Sequence, residues 1–414
     1  MHPQNRQGFP RTSTRQQGGG RRRAVSAAAA AALAIGAMTL GPLTPLAISA
    51  PAISSTSASV ISAPSAPSAS AAAKPDAVQQ ALNRLVRDDG MPAALASVQD
   101  RDGRTRTYTA GTGDLATGAA VPRDGRIRIG SNTKAFTATV VLQLVGEGKV
   151  GLDATVDTYL PGLVRGEGID GRRITVRHLL QHTSGLPEYG IHVDDDEIRN
   201  RYFEPRELLD IALQHKADGD PGEKWGYSNT NYVLAGLIVQ KVTGRPLAEE
   251  MDRRIIKRIG LRHTYFPAPG EMTIRAPHPR GYHRNPADGP LRDFTEMDPS
   301  MGWAAGQLIS TNSDLNRFFT ALLAGRLLPA AQLAEMRTTV PAGTSGLRYG
   351  LGLTSRPLSC GGVSWGHGGD IAGYETRGGV TDDGRAAAVA VTAIPTDEAA
   401  VQHVKDAVDR ALCG

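Results

Sequence analysis

The stretch RIGSNTKAFTATVVLQLVGEGKV, residues 128–150, combines a short alternating strand with the helix that follows it. Phe136 and Leu144 recur at helical spacing, which predicts a helix with one face in the core. Gly146 is typical of a helix end, because glycine readily adopts the left-handed backbone found there. The stretch therefore predicts a strand that passes through Gly130 directly into a helix.

Ser131 and Lys134 lie at the start of this helix, three residues apart. Residues at that spacing share one helix face, so the hydroxyl and the amine are neighbours. A serine hydroxyl needs a base to remove its proton, and a lysine serves as that base when burial lowers its pKa. The pattern predicts a nucleophile and its base, with the amide of Ser131 as an oxyanion donor. Alone it is weak, because Ser131 or Asn132 can also simply cap the helix.

A second motif, PGEKWGYSNTN at 221–231, stands just before an apolar helical segment. Tyr227 is predicted to relay a proton between nucleophile and leaving group, because a phenol beside a cation ionises more easily. Asn229 is predicted to hold a substrate amide and to bond to Lys134. The alternative is structural: Ser228 or Asn229 caps the helix, and Tyr227 is a core aromatic residue.

A third motif, SWGHGGDIAGY at 364–374, places His367 before two glycines and an aspartate. Gly368 and Gly369 carry no side chain, so a substrate can lie against the strand backbone. The amide of Asp370 then becomes a second donor to the oxyanion. The alternative is a glycine-rich turn with a histidine on the surface.

Two further patterns suggest other chemistry but lack the required context. Ser364 lies in a G-x-S-x-G pattern, but that motif needs a helix directly after the serine, and a glycine-rich segment follows instead. His178 and His182 are four residues apart, as in half a metal site, yet no persuasive third ligand accompanies them. We expect packing or capping roles for both histidines, and neither a metal nor a cofactor.

The charge distribution argues against a nucleic-acid binder. The 414 residues carry a formal charge of +5, but residues 1–73 contain six arginines and no acidic residue. Removing those six charges leaves −1. The remainder of the chain therefore lacks the net positive charge that nucleic-acid binding favours.

The leader has the features of an export signal. Consecutive arginines precede an apolar run, Ala24 to Leu40, and Ala50-Pro51-Ala52 offers a cleavage site. A membrane anchor is the alternative, but the run of about 17 residues is alanine-rich and only weakly hydrophobic. We predict secretion, with an export signal at 1–52, a Ser/Ala/Pro-rich linker at 53–73 and the folded domain at 74–414.

Cys360 and Cys413 are the two cysteines of the chain. In an exported protein an even number of cysteines predicts a disulfide, which would tie the C-terminus to the segment after Leu358. Two buried free thiols are the alternative.

The order of elements predicts the architecture. Strand patterns occur early and late in the chain, helical patterns lie between them, and a helix closes the chain. We predict an α/β fold with an antiparallel sheet, flanked by N- and C-terminal helices and interrupted by a mostly helical insertion. The α/β part would span about 74–135 and 300–414, and the helical part about 136–300. Ser131 would then lie where the two parts meet, a favoured place for pockets.

Three motifs in this order resemble the serine D-alanyl-D-alanine carboxypeptidase and class C β-lactamase superfamily of penicillin-recognising hydrolases: Ser131-x-x-Lys134, Tyr227-Ser228-Asn229 and His367-x-Gly369. Flanking sequence such as ITVRHLLQHTSGL agrees with this resemblance. The resemblance covers about Lys74 to Gly414 and is closest to secreted single-domain DD-peptidases.

The resemblance implies a role for each motif. Ser131 would attack a carbonyl and form an acyl-enzyme, while Lys134 and Tyr227 would move protons. His367 would stand where relatives have Lys or His. Trp303 falls in a region that lines the cleft in relatives, which makes it a candidate cleft wall.

Two positions depart from the family pattern. The third motif of the family commonly carries Thr or Ser after the His and again after the Gly, and those hydroxyls help to hold the substrate's terminal carboxylate. Here the two positions are Gly368 and Asp370. A carboxylate at Asp370 should repel a carboxylate ligand, so the sequence supports serine hydrolysis better than carboxypeptidase specificity.

We therefore expect an exported serine hydrolase, foremost a D-alanyl-D-alanine carboxypeptidase-like enzyme acting on cell-wall peptides. The alternatives are a class C-type β-lactamase, an esterase or D-aminopeptidase-like hydrolase, and a catalytically silent cell-wall or β-lactam-binding protein. The expected partners are small-molecule or peptide substrates: a cell-wall peptide, a β-lactam or an ester. We expect a monomer that has no stable membrane anchor and binds no nucleic acid.

Overall fold

The computed structural model describes residues 76–285, 288–343 and 346–414. The predicted export signal at 1–52 and linker at 53–73 lie outside the described residues and stay predictions. No helix within the described ranges is both long enough and apolar enough to cross a membrane.

The strands are short, apart from those at the centre of the main sheet. In chain order they are β1 (Ala93–Gln99), β2 (Thr105–Asp114), β3 (Ala119–Ala120), β4 (Ile127–Arg128), β5 (Arg165–Gly166), β6 (Ile169–Asp170), β7 (Tyr282–His283), β8 (Arg292–Asp293), β9 (Ile309–Ser310), β10 (Val340–Pro341), β11 (Arg348–Tyr349), β12 (Thr354–Pro357), β13 (Val363–Gly366), β14 (Gly369–Ile371), β15 (Tyr374–Thr381) and β16 (Ala386–Val391).

The α-helices concentrate between β4 and β10, with one more at each end of the described chain. They are α1 (Ala77–Arg87), α2 (Thr133–Gly146), α3 (Val156–Tyr159), α4 (Val176–Gln181), α5 (Asp195–Asn200), α6 (Pro205–Leu213), α7 (Thr230–Thr243), α8 (Leu247–Met251), α9 (Lys257–Ile259), α10 (Trp303–Gly306), α11 (Asn312–Leu323), α12 (Ala330–Arg337) and α13 (Glu398–Cys413).

The main sheet is antiparallel and follows the order β10-β11-β12-β13-β15-β16-β1-β2-β3, with β14 paired to β15. Its centre joins strands from opposite ends of the described chain, because Ala94 of β1 lies opposite Val391 of β16. Helices α1 and α13 pack against each other and cover one face, and α11 packs on β1 and β16 from the other. The predicted fold, an antiparallel sheet flanked by terminal helices and interrupted by a helical insertion, is confirmed.

The core explains the composition of the central strand. Strand β16 has the sequence AAAVAV and is buried throughout. A strand that is covered on both faces needs apolar residues at every position, so the usual alternation is absent. Small alanines also let α13 approach the sheet closely.

Helix α2 carries the first motif through the middle of the protein. The sequence predicts one inward face, but every residue from Thr133 to Leu144 is buried. A helix that is enclosed on all sides belongs to the core of a large domain. Its polar side chains find partners there: Thr137 donates to the carbonyl of Ala304 at 2.6 Å. Phe136 stacks on Phe318 of α11 with ring centroids 3.7 Å apart, which links the helical part to the sheet.

The structure joins Cys360 and Cys413 with 5.6 Å between their Cα atoms. The neighbouring amide of Ser359 donates to Asp409 of α13 at 2.9 Å. These two contacts attach the end of α13 to the loop after β12.

Candidate active site

The turn before α2 depends on Gly130, whose φ of +47° lies in the left-handed region. A Cβ built on Gly130 would lie 3.0 Å from the amide nitrogen of Asp370. Glycine therefore satisfies both the backbone conformation and the close approach of β14. The approach brings the amide of Asp370 beside Ser131, as a pair of oxyanion donors requires.

Ser131 lies in a 3₁₀ turn, Gly130–Asn132, and α2 begins only at Thr133. Asn132 does not cap the helix through its side chain. It donates instead to the carbonyl of Ile129 at 3.0 Å and to Oγ1 of Thr376 at 2.6 Å. These bonds tie the turn to β15 and thereby fix Ser131 relative to the third motif.

Lys134 is fully buried beneath the nucleophile. Its Nζ lies 2.9 Å from Oγ of Ser131, 2.6 Å from Oδ1 of Asn229 and 2.9 Å from the carbonyl oxygen of Ala305. The last two oxygens only accept hydrogen bonds, so each takes an N–H from the lysine. In a neutral amine the remaining lone pair then faces the hydroxyl of Ser131.

Burial favours that neutral amine. It lowers the pKa of Lys134 to about 7, against the opposing charges of Glu188 and Asp370. A base with a pKa near neutrality combines a large deprotonated fraction with useful basicity. Lys134 therefore has both the geometry and the acidity of a general base for Ser131.

The hydroxyl of Tyr227 donates to Oγ of Ser131 at 2.8 Å. The tyrosine is 39% exposed at the rim of the cleft, but burial around its hydroxyl raises the pKa of Tyr227. The hydrogen bond with Ser131 and the charge of Arg377 only partly oppose that shift. The expectation that Tyr227 ionises easily is therefore wrong. A protonated phenol suits a donor better than a base, which leaves Lys134 as the acceptor of the nucleophile's proton.

Glu188 is a site residue that none of the three sequence motifs contains. Its carboxylate accepts the backbone amide of Asn229 and also the side-chain NH₂ of Asn229, the latter at 3.1 Å. The side-chain oxygen of Asn229 is thereby turned toward Lys134. No local pattern signalled this contact, because Glu188 lies in a loop far from Asn229 in sequence.

His367 is buried and uses both ring nitrogens within the protein. Tyr349 donates its hydroxyl proton to Nε2 at 2.9 Å, and Nδ1 lies 2.5 Å from the carbonyl oxygen of Gly368. This pairing places the ring proton on Nδ1. Burial lowers the pKa of His367 to about 3, and the charge of Lys134 acts in the same direction. His367 thus lines the cleft as a neutral group.

The cations beside this histidine come from three other residues. Arg356, Arg377 and Lys405 line the same cleft as Ser131 and His367. Sequence reasoning named none of them, because they lie on β12, β15 and α13 and meet only in the fold. Nη1 of Arg377 donates to Oδ1 of Asp370 at 2.6 Å.

Ser131 lies between two cavities. The first is an open cleft of about 460 Å³, which we call the polar cleft because its lining includes Tyr227 and the three cations. The second has a volume of about 220 Å³ and is largely apolar, with a lining that includes Tyr189, Ile198, Met297, Met301 and Ile371. Asp370 borders both cavities.

Trp303 does not line either cavity; it packs into the core instead. A Cβ built on Gly236 would lie 2.8 Å from its ring, and the tryptophan is buried. Met301 and Ala305, its neighbours in sequence, form the wall that was predicted for Trp303.

The serine of the G-x-S-x-G pattern and the two histidines considered for a metal site have structural roles. Ser364 lies inside β13 and not at a strand-to-helix turn. His178 accepts the amide of Thr175 at the start of α4, and His182 accepts the amide of Ser228 at 3.2 Å. Across the described ranges, no three potential metal-ligating side chains come together.

Comparison with known proteins identifies the family. A profile named Beta-lactamase matches residues 78–412. The chain belongs to the Beta-lactamase family. Its fold and its three motifs place it among the penicillin-recognising serine hydrolases. The predicted family resemblance is confirmed.

Two solved structures cover almost the whole of their own chains. The D-stereospecific amidohydrolase from Streptomyces sp. is 42% identical, with a TM-score of 0.72 over 80% of this chain and 97% of its own. The D-amino acid amidase from Ochrobactrum anthropi SV3, complexed with L-phenylalanine amide, is 29% identical, with a TM-score of 0.71 over 81% and 96%.

A curated relative matches less completely. The putative penicillin-binding protein PbpX of Bacillus subtilis (strain 168) is 30% identical over 232 residues, which are 56% of this chain. The match spans 54% of the length of PbpX.

Proposed function

We propose that the protein hydrolyses amide bonds in which the acyl part is a D-amino acid residue, through an acyl-enzyme on Ser131. The observation that carries the proposal is the carboxylate of Asp370, which is 53% exposed and lines the same two cavities as Ser131. A carboxylate there disfavours a substrate whose terminal carboxylate must bind at that point. The 42% identity to a D-stereospecific amidohydrolase supports amide substrates of D configuration.

In the proposed reaction, the groups that contact Ser131 act one after the other. Neutral Lys134 accepts the proton of Ser131 as Oγ bonds to the amide carbon, and the amides of Ser131 and Asp370 receive the oxyanion. The carbon–nitrogen bond then breaks, and the leaving nitrogen takes a proton from Tyr227, which regains one from Lys134. Water repeats the sequence on the ester and releases the acid.

The position of Tyr227 supports a role for each of the two cavities. A proton donor must face the leaving nitrogen, and Tyr227 lines only the polar cleft of the two. The leaving group therefore departs through the polar cleft. The apolar cavity receives the side chain of the acyl residue, and its volume of about 220 Å³ suits a hydrophobic side chain.

A D-alanyl-D-alanine carboxypeptidase is the second candidate, because one observation favours it. Arg356 and Lys405 line the leaving-group cleft, and within the described residues neither forms an ion pair. A carboxylate on the leaving residue could meet these cations instead of the missing hydroxyls.

A substrate panel tests the proposal: a D-amino acid amide, a D-Ala-D-Ala peptide, a cephalosporin and a short-chain ester. We expect the D-amide to be the best substrate, with hydrolysis lost in Ser131→Ala. Rapid cephalosporin turnover would indicate a β-lactamase, and cleavage of the ester alone would indicate an esterase. Efficient release of D-alanine from the peptide alone would favour the carboxypeptidase. Absence of turnover on all four substrates would contradict hydrolytic function.

We also propose that the protein is exported, on the strength of the leader at 1–52 and the paired cysteines. Intact-mass measurement of the protein from culture medium tests this. A cytoplasmic protein that retains residue 1 would contradict it.

A further inference from the structure

We propose that Asp370, held by Arg377, forms a subsite for the ammonium group of an acyl residue with an unblocked N-terminus. This inference rests on the proposed amide hydrolysis and specifies the acyl part of the substrate. The subsite has three components: the carboxylate that binds, the arginine that positions it, and a glycine that admits the arginine.

The carboxylate of Asp370 is fixed but still accessible. Its Oδ1 accepts Nη1 of Arg377 at 2.6 Å, while the aspartate side chain is 53% exposed and the arginine only 15% exposed. A half-exposed carboxylate with one oxygen engaged can present the other to a ligand. Holding it in advance reduces the entropy lost on binding.

Arg377 is itself held from behind. Its Nη1 also donates to the carbonyl of Thr376 at 2.9 Å, and Nη2 lies 3.2 Å from Oε1 of Glu375. Glu375 is 1% exposed. Two carboxylates thus share one guanidinium. Burial raises the pKa of Glu375 to about 7, so the charge that this group presents to the cleft is the exposed carboxylate of Asp370. Such a group favours a cation at its exposed end.

Gly368 leaves the space that the guanidinium occupies. A Cβ built on Gly368 would lie 3.1 Å from Nη1 and 3.2 Å from Cδ of Arg377. The backbone at Gly368 has no positive φ, so space alone restricts this position. The two departures from the family pattern, Gly368 and Asp370, therefore have a common structural reason in Arg377.

Asp370 lies where the α-amino group of the acyl residue is expected. Its amide is the proposed donor to the substrate carbonyl oxygen, and the α-amino group is attached to the carbon next to that carbonyl. Asp370 also borders the apolar cavity assigned to the acyl side chain. Arg356 and Lys405 lie in the leaving-group cleft and would repel an ammonium group from that side.

Two chromogenic substrates test the subsite: D-phenylalanine p-nitroanilide and its N-acetyl derivative, which has no ammonium group. We expect the wild type to prefer the free amine. In Asp370→Asn the ratio of the two kcat/KM values should fall at least about tenfold, as expected for loss of a charge-assisted hydrogen bond. The fall should lie mainly in KM for the free amine.

Arg377→Met and Gly368→Thr should reduce the same ratio, and the double variant should add little to either single change. Arg377→Lys should restore part of the preference. Arg101→Met is the matched control, because Arg101 forms an exposed ion pair with Asp383 at 2.8 Å outside the cleft. It should leave the ratio unchanged.

The outcomes separate this inference from the proposed function. A wild type that cleaves neither anilide nor any D-amide contradicts the proposed function. A wild type that cleaves both anilides equally, or Asp370→Asn with an unchanged ratio, overturns the ammonium subsite alone. Equal losses on both substrates in Arg377→Met would overturn the positioning role of the arginine, since a general structural defect affects both substrates alike.

Discussion

The side-chain oxygen of Asn229 lies 2.6 Å from Nζ of Lys134. The amide nitrogen of the same side chain donates to Glu188, so Asn229 cannot turn its NH₂ group toward the lysine without losing that bond. Asn229 and the carbonyl of Ala305 thus accept the two protons of a neutral amine. This arrangement directs the lysine lone pair to Ser131 before any substrate arrives.

The activity should depend on pH through Lys134. We expect kcat/KM to increase with pH and to level off above about 7, because the neutral lysine is the base and its pKa is about 7. Lys134→Arg should lose this inflection together with about 10²–10⁴-fold of the rate, since arginine stays protonated. The measurement is a pH–rate profile on a D-amino acid amide. A profile with no inflection in this region would contradict the assignment.

Glu188→Gln should shift that profile to lower pH. The charge of Glu188 raises the pKa of Lys134, so its removal leaves burial less opposed and lowers the pKa further. We expect a lower kcat as well, because Asn229 is held less firmly. Glu335→Gln is the control, since Glu335 pairs with Arg177 on the surface at 2.7 Å. An unshifted profile would show that Glu188 does not act on the lysine.

Tyr227→Phe should reduce kcat by about 10²–10⁴-fold, the usual contribution of one positioned proton donor. The change removes only the hydroxyl that bonds to Ser131, so the thermal midpoint should stay nearly constant. Tyr108→Phe is the matched control, because its hydroxyl bonds to Asp76 at 2.8 Å on a different part of the surface. A Tyr227→Phe enzyme with wild-type kcat would remove the tyrosine from the mechanism.

Cys360→Ser combined with Cys413→Ser should destabilise the protein. The cysteines are separated by 53 residues, and cross-linking a loop of that size contributes about 4 kcal/mol in the chain-entropy model. Urea denaturation of the double variant and of wild type with reductant should give the same loss. Equal stability with and without reductant would indicate that the thiols are not bonded in solution.

Local sequence patterns predicted the parts of the site that are close in sequence. The spacing of Ser131 and Lys134 indicated a shared helix face, and the Tyr227 and His367 motifs indicated the other sides of the cleft. The nearly uniform burial of α2 was not predicted, because its threonines resemble surface residues until their long-range partners are known.

Contacts between distant segments could not be read from spacing. Glu188 reaches Asn229 from a loop, and Arg377 fills space left by Gly368 on another strand. The acidity of Tyr227 was predicted in the wrong direction, because the sequence shows the nearby cation but not the burial that outweighs it. These two contacts and the pKa of Tyr227 depend on how separate elements pack, and local sequence patterns do not specify that packing.

The pairing of β1 with β16 has a consequence for biosynthesis. A ribosome makes β1 long before β16, so the growing chain holds a central strand whose neighbour does not yet exist. Sheets that join distant segments close slowly, and an unpaired strand edge is prone to association with other chains. The sheet can close only after translation has passed Val391, because β15 and β16 support the third side of the cleft. Catalytic activity should therefore arise only in chains that extend past Val391, and shorter nascent chains should need protection.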